Sequence, residues 1–375
     1  MNFDFTAEER SRLEALDEIL AGWASSMEFE TRSPIPAVRD RALSAVRSLQ
    51  SLPYVDAGRQ DTPLSRACLM TCSQKLAAYS PSLHLTIDMG IRLPVGLIQA
   101  VGADAVSDKC AELLEGKRLA AVAFRESTMN VVNDALTTRA QADGTDWVIH
   151  GTKSWVVNAP IADDLLVAAA VDDGYGLFWV AADAPGVSIG EPLQALGFEG
   201  AAIAHVTFDG CRIPPSHQMG RFDRRVLMGR LQDIENEILI ASAIGLMKAA
   251  FEEAKNHAKT HRSGGKPIIA YQEVGFKLSE MLTQLQTAEL LAYRTAWSIE
   301  KGAEDVESLL LCAKVFCAEA AEIVTGAALQ ILSGRGYFGQ SVSERAYRCA
   351  KFTQIAGTST EIARVRIGDE ALGYR

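Results

Sequence analysis

The order of hydrophobic periods along this chain predicts an α+β protein in three consecutive blocks: helical, then a small β domain, then a helical bundle. Three observations carry this. Apolar residues recur at helical spacing near the start, at Leu13, Leu16, Ile19 and Leu20. From about residue 119 to 222 the period shortens to that of strands punctuated by turn residues, and beyond it a long helical stripe returns.

The first block is assigned to residues 1–118. Within it SDKCAELLEG gives a further short amphipathic helix, and the stretch holding Ser51, Pro53, Gly58 and Pro63 reads as a loop between helices. The middle block, 119–222, contains LAAVAF, TTRAQA, WVIHGTKSWVV, LLVAAAV, LFWVAA and AIAHVTF, separated by Asp-Gly, Asp-Asp-Gly and Ala-Pro steps. After Pro215 the chain is expected to turn helical and stay so, giving the third block, 223–375. There Leu278, Met281, Leu282, Leu285, Ala288, Leu291, Ala292, Ala296 and Ile299 trace one apolar stripe of a bundle helix. A second long helix is expected from Val306 to about Leu332, closed by Gly334 and Gly336.

Composition narrows the function classes. The chain has 375 residues, 48% hydrophobic and 22% charged, enough for two or three domains. A net charge of −10 leaves no surplus to neutralise phosphates, so no nucleic-acid partner is expected. No apolar run approaches the roughly 20 residues of a membrane span, and the acidic start lacks a separate apolar segment, so neither a membrane partner nor a secretory signal is expected. The seven cysteines form no CxxC pair and no His-rich ligand spacing accompanies them, which predicts reduced thiols, no metal site and a cytoplasmic enzyme.

Several segments then fall in a familiar order. HGTKSWVVNAPIADDLLVAA, GLFWVAADAPGV, HVTFDGCRIP, GKPIIAYQ, AKVFCAEAAEIVTGAALQILSGRGY and ERAYRCAKFTQIAGTSTEIARVRIG follow, in sequence and spacing, the motifs of the acyl-CoA dehydrogenase family, which the chain resembles over essentially its whole length. The resemblance implies an N-terminal helical domain, a middle β-barrel or sandwich and a C-terminal four-helix bundle. It also implies bound FAD and a homodimer or homotetramer, with a heteromer as the alternative. The substrate it implies is an acyl thioester of coenzyme A or of a carrier protein, and the electron acceptor an electron-transfer flavoprotein.

The same resemblance assigns residues. Phe124 and Arg125 lie in AFREST, at the family's strand end along the flavin, with Glu126 on its acidic position; Asn130 and Val131 stand where a glycine and serine meet the pyrophosphate, which predicts weakened cofactor affinity. Trp155 matches the tryptophan that packs on the flavin, and Val157 replaces a threonine whose hydroxyl bonds flavin N5. His261 falls on the family's phosphate-binding arginine, with Arg262 beside it able to supply the charge. Gln330 and Gly334 match the stretch that reaches the cofactor across the subunit boundary, and Ser359 and Glu361 are placed on the cofactor side.

Desaturating a thioester needs a base close to a weakly acidic α C–H bond, and a carboxylate in a dry pocket serves. Many relatives carry it in IYEGTSEI; here the ungapped register sets Ala356 on the tyrosine and Gly357 on the glutamate, and a one-residue shift that pairs the two Gly-Thr steps sets Ala356 on the glutamate instead. Neither accepts a proton, and their small size is expected to leave substrate space beside the flavin. An isovaleryl-CoA dehydrogenase-type subgroup supplies its glutamate from the first bundle helix, and counting back from Gly245 and Leu246 places it on Glu235. Asn236 replaces the arginine that usually follows. Glu237, two residues on, heads a stripe ending in Lys248 and Glu252 and is expected to face solvent. A non-catalytic or half-site subunit is the second reading, and a flavin monooxygenase on the same fold a third.

Overall fold

The structure is a computed structural model that describes residues 4–23, 26–50, 52, 64–102, 106–127, 134–172 and 174–374. The loop expected at Ser51, Pro53, Gly58 and Pro63, and Asn130 and Val131 in the phosphate segment, lie outside these residues. Helices α1 (Ala7–Gly22), α2 (Met27–Glu30), α3 (Ile35–Leu49), α4 (Arg66–Tyr79), α5 (Pro81–Ile87), α6 (Leu93–Val101) and α7 (Ser107–Leu114) come first. Thr6 caps α1 with a full capping box to Glu9, and Ser65 and Ser80 cap α4 and α5 through their hydroxyls. Between α5 and α6 the helix widens into a π-turn, Asp88–Arg92.

The middle block is a sheet of β1 (Ala120–Ala123), β2 (Arg139–Asp143), β3 (Asp146–Val157), β4 (Asp164–Val171), β5 (Gly174–Ala181), β6 (Val187–Ile189), β7 (Ile203–Ile213) and β8 (Gln218–Phe222). Its order is β6-β7-β3-β2-β4-β5-β8, with β1 parallel to β4. Strand β4 explains its own unbroken apolar sequence. Leu165, Val167 and Ala169 fill the domain's interior, while Leu166 and Ala168 face the shared core with the helices, so both faces are dry. The sequence pattern had placed helix after Pro215; instead residues 218–222 add β8 alongside β5, and the helix starts at Arg224 behind an Asp223 cap.

The bundle consists of α8 (Arg224–Thr260), α9 (Gln272–Lys301), α10 (Val306–Leu332) and α12 (Val342–Ile355), with a short hairpin of β9 (Arg262–Ser263) and β10 (Lys266–Pro267) after α8. Two short helices, α11 (Gly334–Phe338) and α13 (Thr360–Ala371), complete it. The stripe expected on α9 buries Met281, Leu285, Ala288, Ala292 and Ala296, although Leu282 is largely exposed. Helix α10 ends where expected, but through Ser333 at φ 54, and Gly334 and Gly336 enter α11 rather than only breaking the chain. By length and composition α10 could cross a membrane, contrary to the composition argument; it packs instead against α8, α9, α12 and α13.

Helix α8 is the centre of the molecule: every residue from Glu235 to Met247 is buried, between α4 on one side and α10 and α12 on the other. Close approach to α4 requires Gly245, where a Cβ would stand 2.5 Å from the Ala77 Cβ and 2.7 Å from the Gln74 carbonyl oxygen. Gly245→Ala is expected to destabilise the fold by about 1–3 kcal/mol through overpacking, read as a lowered denaturation midpoint at unchanged slope.

Candidate active site

A narrow cleft opens where the β domain meets the π-turn and α8. Its walls are apolar: Met89 and Leu93 from the π-turn and the start of α6, Val122 and Phe124 at the end of β1, Val157 at the end of β3, and Leu231 on α8. The polar members are Arg125, Ser154 and Glu235. Leu231 and Glu235 share a helix face four residues apart.

Trp155 stands on the rim with about half its surface, 51%, exposed, so it is not a core tryptophan of the strand. Its backbone is left-handed, φ 54, at an irregularity in the β3–β7 pairing, a conformation that costs a bulky residue about 1–2 kcal/mol. An exposed aromatic plane held at a strained strand irregularity over an apolar slot is the arrangement a flat aromatic ligand would fill. The ring end of FAD therefore fits these residues.

Glu126 lies behind the cleft and is held structurally. Its carboxylate accepts from the Thr137 amide and hydroxyl, the Thr138 amide and the Lys153 ammonium. Burial alone would push the carboxyl up, but Lys153 and Thr137 overcome it and hold it at about 2; burial in turn pulls Lys153 down to about 8. Lys153 also donates to the Phe124 carbonyl and so fixes the strand end from which Arg125 projects.

Arg125 carries the most informative geometry. Its fork is bidentate on Glu235, at 2.9 and 2.7 Å, and a further N–H reaches the Gly357 carbonyl at 3.1 Å. The Glu235 side chain is 6% exposed and the guanidinium side chain 29%. Lys314, fully buried on α10, lies behind them and donates to the Thr353 and Thr358 carbonyls. Burial pulls its ammonium down to about 8 against the attraction of Glu235. Neither link was legible in the sequence for Arg125, which is 110 positions from its partner; Lys314, a lysine inside the apolar run of α10, was a visible anomaly.

Two expectations are corrected. Glu237 does not face solvent: it is buried and paired with Arg66 at 3.0 Å and Arg92 at 3.2 Å, because α8 is enclosed on all sides here. Ala356 and Gly357 open no space. Both are buried and neither lines the cleft; a Cβ on Gly357 would fall 2.5 Å from the Asn236 Oδ1 and 2.8 Å from the Leu239 Cδ1. Asn236 fills the position by accepting from the Thr358 amide and donating to its hydroxyl.

The remaining cofactor candidates are not gathered at this cleft within one chain. Ser359 caps α13 and the exposed Glu361 sits in its first turn. His261 stacks on His257 at the end of α8, and Arg262 donates to Gly265 within its own hairpin. Gln330 and Gly334 are exposed near the junction of α10 and α11, beside the protruding Tyr337 and Phe338.

Comparison with known proteins identifies the class. Residues 226–372 match the acyl-CoA dehydrogenase C-terminal domain, and residues 125–211 match the middle domain of the same family. The chain is 30% identical to the benzylmalonyl-CoA dehydrogenase of Aromatoleum aromaticum over 381 residues, covering 99% of both proteins. It is 31% identical to the human mitochondrial short-chain specific acyl-CoA dehydrogenase over 69% of this chain and 65% of that one. Among solved structures, butyryl-CoA dehydrogenase from Megasphaera elsdenii superposes with a TM-score of 0.89 at 22% identity, covering 99% of this chain and all of that one. The chain belongs to the acyl-CoA dehydrogenase family, FAD-dependent oxidoreductases acting on CH–CH bonds.

Gly357→Glu puts a carboxylate where the sequence resemblance, read without a gap, sets the family's glutamate, yet φ +68 and the Asn236 contact forbid it a relaxed side chain. The variant is expected to lose about 2 kcal/mol or more of stability and to show no gain in substrate-dependent flavin reduction, measured by denaturation and by absorbance.

Proposed function

We propose that this chain catalyses α,β-dehydrogenation of an acyl-CoA thioester, with Glu235 as the base that takes the α-proton. The observation that carries this reading is the placement of a carboxylate, Glu235, beside the exposed face of Trp155 in one apolar cleft. Bound FAD supplies the acceptor for the hydride that leaves the β-carbon. The chain's own residues do the rest. Met89, Leu93, Val122 and Leu231 exclude water from the acyl group, Trp155 offers a plane for orientation, and Glu235 waits at the cleft floor on rigid helix.

The exposed Gln330, Gly334, Tyr337 and Phe338 form the face on which a second copy would complete the cofactor site, making the enzyme a homodimer or homotetramer. Electrons pass on to an electron-transfer flavoprotein, in a cytoplasm whose reducing poise suits seven free thiols. A second reading, a non-catalytic partner in a heteromer, draws on the Arg125 bridge, which commits both oxygens of the base.

Glu235→Gln keeps size and hydrogen bonding but removes the base. FAD is expected to stay bound while bleaching of the flavin by acyl-CoA falls by about 10²-fold or more. Glu237→Gln breaks a buried ion pair instead, costing roughly 1–3 kcal/mol of stability, with bleaching retained. Equal bleaching by wild type and Glu235→Gln would remove Glu235 from the mechanism. Purified protein that shows no flavin absorbance after soaking with FAD, but gains it with a homologous subunit, would favour the heteromeric reading.

A further inference from the structure

Arg125 stands out because the family reading needs no arginine on the base. It is the one cation among the described residues lining the cleft. Its fork occupies both Glu235 oxygens, so the lone pairs that would take a proton are already accepting hydrogen bonds. Its further bond to the Gly357 carbonyl holds the guanidinium in place independently of Glu235. Gly357 cannot withdraw, being packed between Asn236 and Leu239. Arg125 is thus anchored to the backbone on one side while Glu235 occupies its open fork on the other.

The pairing around the cleft is uneven. Arg125 pairs with one carboxylate, Glu235, whereas the neighbouring charges Asp88, Arg92, Glu237 and Arg66 form ion pairs among themselves. The Arg125 side chain is 29% exposed, so an incoming carboxylate reaches it without breaking those other pairs. An arginine fork matches a carboxylate in two parallel bonds, and nothing else in the apolar cleft would receive one.

We propose that Arg125 is the seat of a second carboxylate on the acyl group, so that the preferred substrates are carboxylated acyl-CoA thioesters, and that such a carboxylate displaces Glu235 from the fork and frees it to act. This rests on the assignment of Glu235 as the base. The position of the carboxylate follows from distance. The fork lies 2.7–2.9 Å from the Glu235 oxygens, and a working base lies about 3 Å from the atom whose proton it takes. A carboxylate on the fork is therefore attached at the α- or β-carbon rather than at the far end of a long chain. The bonds broken and formed are those of the dehydrogenation already described; Arg125 selects the substrate and uncovers the base.

The test compares butanoyl-CoA with its 2-carboxy derivative, ethylmalonyl-CoA, and its 3-carboxy derivative, methylsuccinyl-CoA, on the FAD-loaded protein. Bleaching rates give kcat/KM, and calorimetry gives Kd. Wild type is expected to favour at least one carboxylated thioester by about tenfold or more. In Arg125→Met that preference should vanish or reverse, with Kd for the favoured carboxylated thioester weakened about tenfold and butanoyl-CoA bleaching faster than in wild type. Arg125→Lys, which keeps the charge, should retain part of the preference. If wild type handles butanoyl-CoA as well as both carboxylated thioesters, or if the preference survives in Arg125→Met, the inference is overturned while the dehydrogenase reading stands. If none of the three bleaches the wild-type flavin, both fall. Should Arg125→Met fail to fold, the wild-type comparison and Arg125→Lys still decide.

Discussion

Enclosure of the middle of α8 is the constraint on which the rest of the molecule depends. A helix buried all round has no face on which to leave charged or amide side chains, so Glu235, Asn236 and Glu237 take partners inside the protein, while the buried Ser242 hydroxyl has none among the described residues. The partners come from all three blocks. Arg125 from the β domain takes Glu235, the loop before α13 takes Asn236 through Thr358, and Arg66 and Arg92 from the N-terminal helices take Glu237. Three consecutive residues thereby fasten three regions to one helix. Their pairing also decides which carboxylate remains at the cleft.

That division explains how the chain manages without a glutamate at position 357. The position is closed by its own backbone and by Asn236, and the proposed mechanism therefore draws its base from the helix. Glu237 is spent on a structural ion-pair cluster, while Glu235 points to the slot between Trp155 and Leu231. The Arg125 bridge gives Glu235 a partner whose guanidinium is itself partly open to the cleft. A buried pair of this kind contributes little net stability, because desolvation offsets the attraction. Its location beside the reactive slot makes substrate recognition the stronger account of it.

Much of this was legible in the sequence, for identifiable reasons. The alternation of turn residues with short apolar runs marked the strands, and α9 and α10 carried long stripes that no strand could use. Motif spacing brought Phe124, Trp155, Val157 and Glu235 to one cleft, although they are far apart in the chain. What failed depended on tertiary enclosure. Glu237 looked exposed because its stripe ends in charge, but α8 is covered by α4 at that level. Ala356 and Gly357 looked like open space because small residues read as absence, whereas Asn236 and Arg125 had moved into it. Strand β8 was hidden by a preceding Pro-Pro step and a single short alternation. No local pattern pairs Arg125 with Glu235, since the contact exists only once β1 docks on α8.

The central claim is that Glu235 faces the reacting carbon in a cleft bounded by Trp155. A crystal structure of the FAD-loaded protein with 3-thiabutanoyl-CoA, which lacks the β-carbon hydrogens needed for reaction, tests it most directly. The account predicts a Glu235 carboxylate oxygen within about 3.5 Å of the thioester α-carbon, with the acyl chain against Met89 and Leu93. An α-carbon placed more than about 6 Å from Glu235, with a different carboxylate or no carboxylate beside it, would contradict it.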